Sequence, residues 1–141
     1  MRRALIASVC ALAAALAGCG GPSDDEQVRD TLARLERATA THDFRALCDR
    51  VFARALVRRL AEVGLPCPEA LRRSVLGSVR DPGVEVRRVR IDGSRAFALV
   101  RTTASNQRPL VTTIQLTKES GSWRVAQLAG PQPPTPRSAA P

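Results

Sequence analysis

The chain has 141 residues, with 22 lysines and arginines against 13 aspartates and glutamates, a formal net charge of +9 and an aromatic content of 3%. Single domains usually run to about 100–150 residues, so one domain is expected and two ordinary ones are excluded. Lys118 is the single lysine, His42 the single histidine, and tyrosine is absent, which leaves few of the side chains that commonly do acid–base chemistry near neutral pH.

Met1-Arg2-Arg3 opens the chain with positive charge, Ala4 to Ala17 is an almost unbroken apolar run, and small residues precede Cys19. These are the three parts of a secretory signal, and the run falls short of the roughly 20 residues that span a bilayer as a helix. Leu16-Ala17-Gly18-Cys19 resembles the lipobox of bacterial lipoproteins. The resemblance implies a diacylglyceryl group on Cys19, cleavage before it, a signal peptide over residues 1–18 and a lipidated tether over 19–23. It also implies membrane lipid as a partner and a place on the extracytoplasmic face of the cell membrane.

Cysteine arithmetic follows. Cys10 leaves with such a signal and Cys19 takes the lipid, so Cys48 and Cys67 remain as a pair in a compartment where disulfides persist. A bridge is expected; two buried free thiols are the alternative. Two cysteines and one distant histidine make no tetrahedral set, so no metal is expected. No cofactor is expected either, because phosphate-cradling glycine loops and serine nucleophile elbows are missing. The arginines suit solvated faces or anionic lipid head groups, and an exported chain is not expected to meet nucleic acid.

Ser23 with Glu26 three residues later fits a capping box, and Asp24, Asp25 and Glu26 suit the positive end of a helix. Val28, Leu32 and Leu35 recur at helical spacing, which predicts a first helix from Asp24 to about Ala40. Asp43 caps a second, whose apolar face is Phe44, Leu47, Cys48, Val51, Phe52 and Ala55; the pattern runs on through Leu56, Leu60 and Val63 to Gly64, with room for a break. A third starts at Pro68, with Leu71, Val75 and Val79 inward and Cys67 just before it.

After Pro82-Gly83 the period becomes two, which marks a sheet. Val84 and Val86 share one face while Val89 and Ile91 fall on the other, so a bulge or strong twist is expected near Arg87 and Arg88. Asp92-Gly93 signals a hairpin. Arg95 to Thr103 is apolar on both faces, as a central strand is; Ser105 to Pro109 reads as a loop. Leu110, Thr112, Ile114 and Leu116 alternate in a third strand, Glu119 to Ser122 turns, and Trp123, Val125 and Leu128 belong to a fourth. Residues 130–141 are proline-rich and read as a disordered tail.

Helices first and a meander second predict an α+β fold. The stretches "ATHDFRALCDR", "DGSRAFALVRT" and "SGSWRVAQL" are similar to those of nuclear transport factor 2-like proteins, the group that includes ketosteroid isomerase and SnoaL-like domains. The chain also resembles small secreted actinobacterial lipoproteins with a cysteine in the second helix and another before the third. The resemblance implies three N-terminal helices packed on a curved four-stranded antiparallel sheet, a cone, over residues 24–129.

Enzymes of that group place carboxylates, His or Tyr in the cone. Here His42 and Asp43 fall at helix ends, Asp81 and Asp92 in turns, and no acid lands on an inward strand position. Arg101, Thr103 and Thr112, with Thr102 and Thr113, are the candidate pocket-lining residues. The expectation is therefore a membrane-anchored, non-enzymatic binding or scaffolding domain for an envelope protein or a small apolar ligand. The alternative is a small-molecule enzyme of the SnoaL or ketosteroid isomerase type.

Overall fold

Ser23 begins the first helix as the capping box predicts: its hydroxyl accepts the Glu26 N–H at 3.2 Å, and the Glu26 carboxylate accepts the Ser23 N–H at 2.7 Å. In this computed structural model, which describes residues 20–128, α1 then runs Asp24–Ala40. The expected signal peptide, Cys19 and the expected tail over 130–141 lie outside the described residues. Val28, Leu32 and Leu35 form the buried stripe of α1, each contributing roughly 1.5–3 kcal/mol by leaving water. No helix among the described residues is long and apolar enough to cross a membrane.

His42, with φ of 53°, turns the chain, and the Asp43 carboxylate accepts the Ala46 N–H at 2.9 Å to start α2, Phe44–Ala46. The long second helix does not continue as one. It widens into a π turn over Leu47–Val51, closed by the Phe52 N–H on the Leu47 carbonyl at 2.8 Å, and then extends at Phe52 and Ala53. Phe52 bridges Val125 in parallel and Ala53 donates its N–H to the Val125 carbonyl at 2.8 Å. The physical reason for the break is that free carbonyl on the last strand: the extended step satisfies it while burying Phe52 and Ala53. Helix resumes as α3, Arg54–Ala61, and Gly64, at φ of +81°, reverses the chain.

The third predicted helix is also shorter than its pattern. α4 covers Cys67–Arg72, and a 3₁₀ turn follows at Val75–Ser78, capped by Ser74. Gly77 lets the chain fold back, since a Cβ there would lie 1.9 Å from the Arg72 carbonyl oxygen. Leu71 and Val79 are buried as expected, but Val75, expected inward, is 65% exposed. A disulfide joins Cys48 to Cys67 with the Cα atoms 6.2 Å apart, within the span such a bond requires. It ties the π turn to the start of α4.

Four strands, β1 Gly83–Asp92, β2 Arg95–Ala104, β3 Gln107–Glu119 and β4 Ser122–Gln127, form an open antiparallel sheet in the order β1-β2-β3-β4. The fold is α+β. In β1 the register shifts between Val86 and Arg88, which sets Val84, Val86, Val89 and Ile91 opposite Thr102, Val100, Ala98 and Ala96. One inserted residue thus returns all four apolar side chains to the inner face. Ala96, Ala98, Val100, Leu116 and Val125 are fully buried there, in one core with Leu32 of α1 and Leu47.

The outer face corrects the reading of β2 as buried on both sides. Leu99 is 37% exposed and Phe97 half-buried, with the Arg90 guanidinium 4.7 Å from its ring centre. Among the described residues no helix covers this side, as antiparallel sheets allow. The expected loop through Pro109 is shorter too: Gln107 already pairs with Ala104. Pro109 is accommodated in β3 because the register shifts between Thr102 and Ala104, where a strand tolerates a residue without an N–H.

Candidate functional site

The antiparallel meander sorts its turns to two ends. The β2–β3 turn stands alone at one end, and the β1–β2 and β3–β4 turns share the other, where the Lys118 N–H donates to the Ser94 carbonyl at 2.8 Å. Toward the β2–β3 end, the inner sheet face and the second half of α1 diverge around a cavity of about 290 Å³. Its apolar wall comes from Leu35, Leu76, Val84, Ile114 and Leu128, with Leu110 at 57% exposure toward solvent.

Three of the polar groups of this wall are already engaged. The Glu36 carboxylate accepts the Val84 N–H at 2.7 Å, the Thr39 hydroxyl donates to the Leu35 carbonyl at 2.7 Å, and the Thr102 hydroxyl reaches the Leu110 carbonyl at 3.3 Å. Arg108 is exposed among the lining residues. Such an arrangement favours apolar contact with a few polar anchors, the usual make-up of small-molecule pockets.

Of the residues singled out in the sequence, Thr103 and Thr112 line this cavity, as does Thr102. Arg101 does not. It pairs with Glu85 and Val111, and Thr113 pairs with Leu99, so both lie on the outer face. His42 sits between α1 and α2, its ring edge-on to Phe44 at 5.7 Å, and Asp43 is spent on its cap. Among the described residues there is no group of three or more His, Cys, Asp or Glu side chains able to hold a metal ion. Glu36, Thr39, Leu76, Leu110 and Leu128 were not among the sequence candidates. Glu36 lies outside the Val28, Leu32 and Leu35 stripe of α1, and its bond to the Val84 amide sets it in the wall.

At the other end, Asp24 anchors the start of α1. Its carboxylate accepts from the Lys118 ammonium at 2.7 Å and the Trp123 indole N–H at 2.9 Å. The bond from Lys118, then that from Trp123, holds its pKa below the ordinary value. Glu119 of the same hairpin accepts the first amide of α3, from Arg54, at 3.2 Å. The starts of α1 and α3 therefore meet at the β3–β4 turn. No protein-family model, no curated protein and no solved structure matches this chain.

Proposed function

We propose that the protein is a lipid-anchored envelope protein whose domain, a nuclear transport factor 2-like cone, binds a small apolar ligand without transforming it. The observation that carries the binding role is the cavity between α1, the 3₁₀ turn and the inner sheet face, walled by Leu35, Ile114 and Leu128. Register shifts in β1, between β2 and β3, and between β3 and β4 bend strands and support the curved sheet of a cone. Catalysis in such a site needs convergent acid and base groups. Glu36 is the cavity's carboxylate and is held by a backbone amide, which favours binding over turnover. The anchor rests on Leu16-Ala17-Gly18-Cys19 after its apolar run.

The test is a fluorescence titration of the chain from Gly20 onward with the neutral probe N-phenyl-1-naphthylamine. One saturable site is expected. Thr112→Phe, which fills the cavity, should weaken binding by at least roughly tenfold while the melting temperature stays near the parent's. Equal binding by the filled variant, or no saturable binding, removes the cavity from the proposal. The anchor is tested separately by detergent-phase partition of the exported protein, where Cys19→Ala should move it to the aqueous phase; retention in detergent overturns the anchor.

A further inference from the structure

A second concavity, of about 570 Å³, lies beside the β3–β4 turn, away from the apolar cavity. Three arginines border it: Arg54 and Arg58, one turn apart on α3, and Arg124 of β4. Ser120 and Ser122 of the hairpin add hydroxyls. The ion pairs among the described residues involve none of these three guanidinium groups. Arg124 donates to the Asp49 carbonyl at 3.2 Å, which fixes its side chain over the groove.

Two carboxylates share the border, those of Asp49 and Glu119. Three guanidinium groups against these two leave the groove an excess of one positive charge, and Glu119 is turned to the backbone amide of Arg54 rather than to a guanidinium. Arg54 and Arg58 stand at i and i+4, where like charges repel unless an anion lies between them. Arg58 also suits the negative end of the α3 dipole; that account does not extend to Arg54 at the opposite end of the helix or to Arg124.

The position of the groove identifies the anion's source. Asp24 is bonded to the cross-strand pair Lys118 and Trp123, the second pair from the Ser120-Gly121 turn. At roughly 3.4 Å per residue the start of α1 is thus on the order of 7 Å from that turn along the strand. Cys19 is separated from Ser23 by Gly20, Gly21 and Pro22, a reach of about 14 Å when extended. With lipid on Cys19, the groove stands at head-group height.

We propose that Arg54, Arg58 and Arg124 form a site for the phosphate of anionic membrane lipids, which clamps the tethered domain on the bilayer by its turn-rich end. The site is distinct from the apolar cavity; only its lipid source rests on the Cys19 anchor. Guanidinium forks match phosphate oxygens, and head groups bring the negative charge that the groove leaves uncompensated.

The experiment is co-sedimentation of the chain from Gly20 onward, which carries the whole described core, with vesicles of phosphatidylglycerol and phosphatidylcholine, and with phosphatidylcholine alone. Binding is expected only to the first. R54Q/R58Q/R124Q should reduce the partition coefficient on the order of 100-fold, R54K/R58K/R124K, which keeps the charge and loses the forks, should fall between the parent and that variant, and R80Q/R87Q/R88Q, an equal charge loss on and before β1, should retain more than the groove variant. Equal loss in both glutamine variants means diffuse charge attraction and overturns the site. Absence of vesicle binding, or binding of inorganic phosphate at the groove without vesicle binding, overturns the lipid assignment. The anchor reading is judged apart from this, because Cys19 is absent from every arm.

Discussion

Asp24 concentrates more of the molecule's long-range order than any other carboxylate. It sits in the first turn of α1 and joins that helix to the β3–β4 hairpin through Lys118 and Trp123. Both partners donate to the ionised form, so its folded pKa falls below the ordinary aspartate value of about 3.9. A group with a depressed folded pKa contributes stability above its unfolded pKa and loses it as pH falls through the lower, folded one. Glu26, lowered by the Ser23 amide, and Glu69, lowered by Arg73, act in the same direction. Asp24→Asn should therefore melt below the parent at about pH 6, and the gap should close as acid carries the parent's carboxylate through its lowered folded pKa. Thermal melts across that range check it, and a gap indifferent to pH would assign Asp24 a role other than its charge.

Between elements, the sequence was legible where a rule is local. The capping box at Ser23, the cap at Asp43 and the parity change from Val84–Val86 to Val89–Ile91 all concern neighbours in the chain, and each appears in the structure. The break at Phe52 does not. Its spacing fits a helix, and the carbonyl that draws it out belongs to Val125, distant in sequence. The candidate site divides the same way: Arg101 and Thr103 share strand parity and read alike, but the irregularity between Thr102 and Ala104 puts Thr103 at the cavity and leaves Arg101 outside. Elimination among the four cysteines pairs Cys48 with Cys67, and the fold brings them together across 19 residues. A loop of that size stabilises by roughly 3 kcal/mol in the chain-entropy account. Cys48→Ser with Cys67→Ser should thus lower the melting temperature by roughly 10–20 °C, measured by calorimetry; a shift of only a degree or two would mean the helices hold that junction alone.

For the whole molecule, the meander and α1 together give a direction. α1 has 17 residues, about 25 Å at 1.5 Å per residue, with the arginine groove toward its start and Leu35, Glu36 and Thr39 of the cavity toward its finish. A ligand of the cavity and a bilayer at the groove would occupy opposite ends, so neither excludes the other.

The two outermost strands carry a further consequence. An uncovered strand edge is a template on which another chain can add a strand. On β1 the Val84 N–H is taken by Glu36 and the Val86 carbonyl by Arg29 at 3.4 Å; on β4 the Val125 and Ala126 carbonyls are taken by Ala53 and by Arg59 at 2.8 Å. Helical segments thus occupy part of both margins of an open sheet with side chains and one extended step, which shortens the edge that a second copy could extend. Removing this cover on one side, in Glu36→Ala with Arg29→Ala, should produce concentration-dependent self-association by sedimentation velocity. A variant that stays monomeric at every concentration would show that the charges and bulge of β1 protect its edge without help from α1.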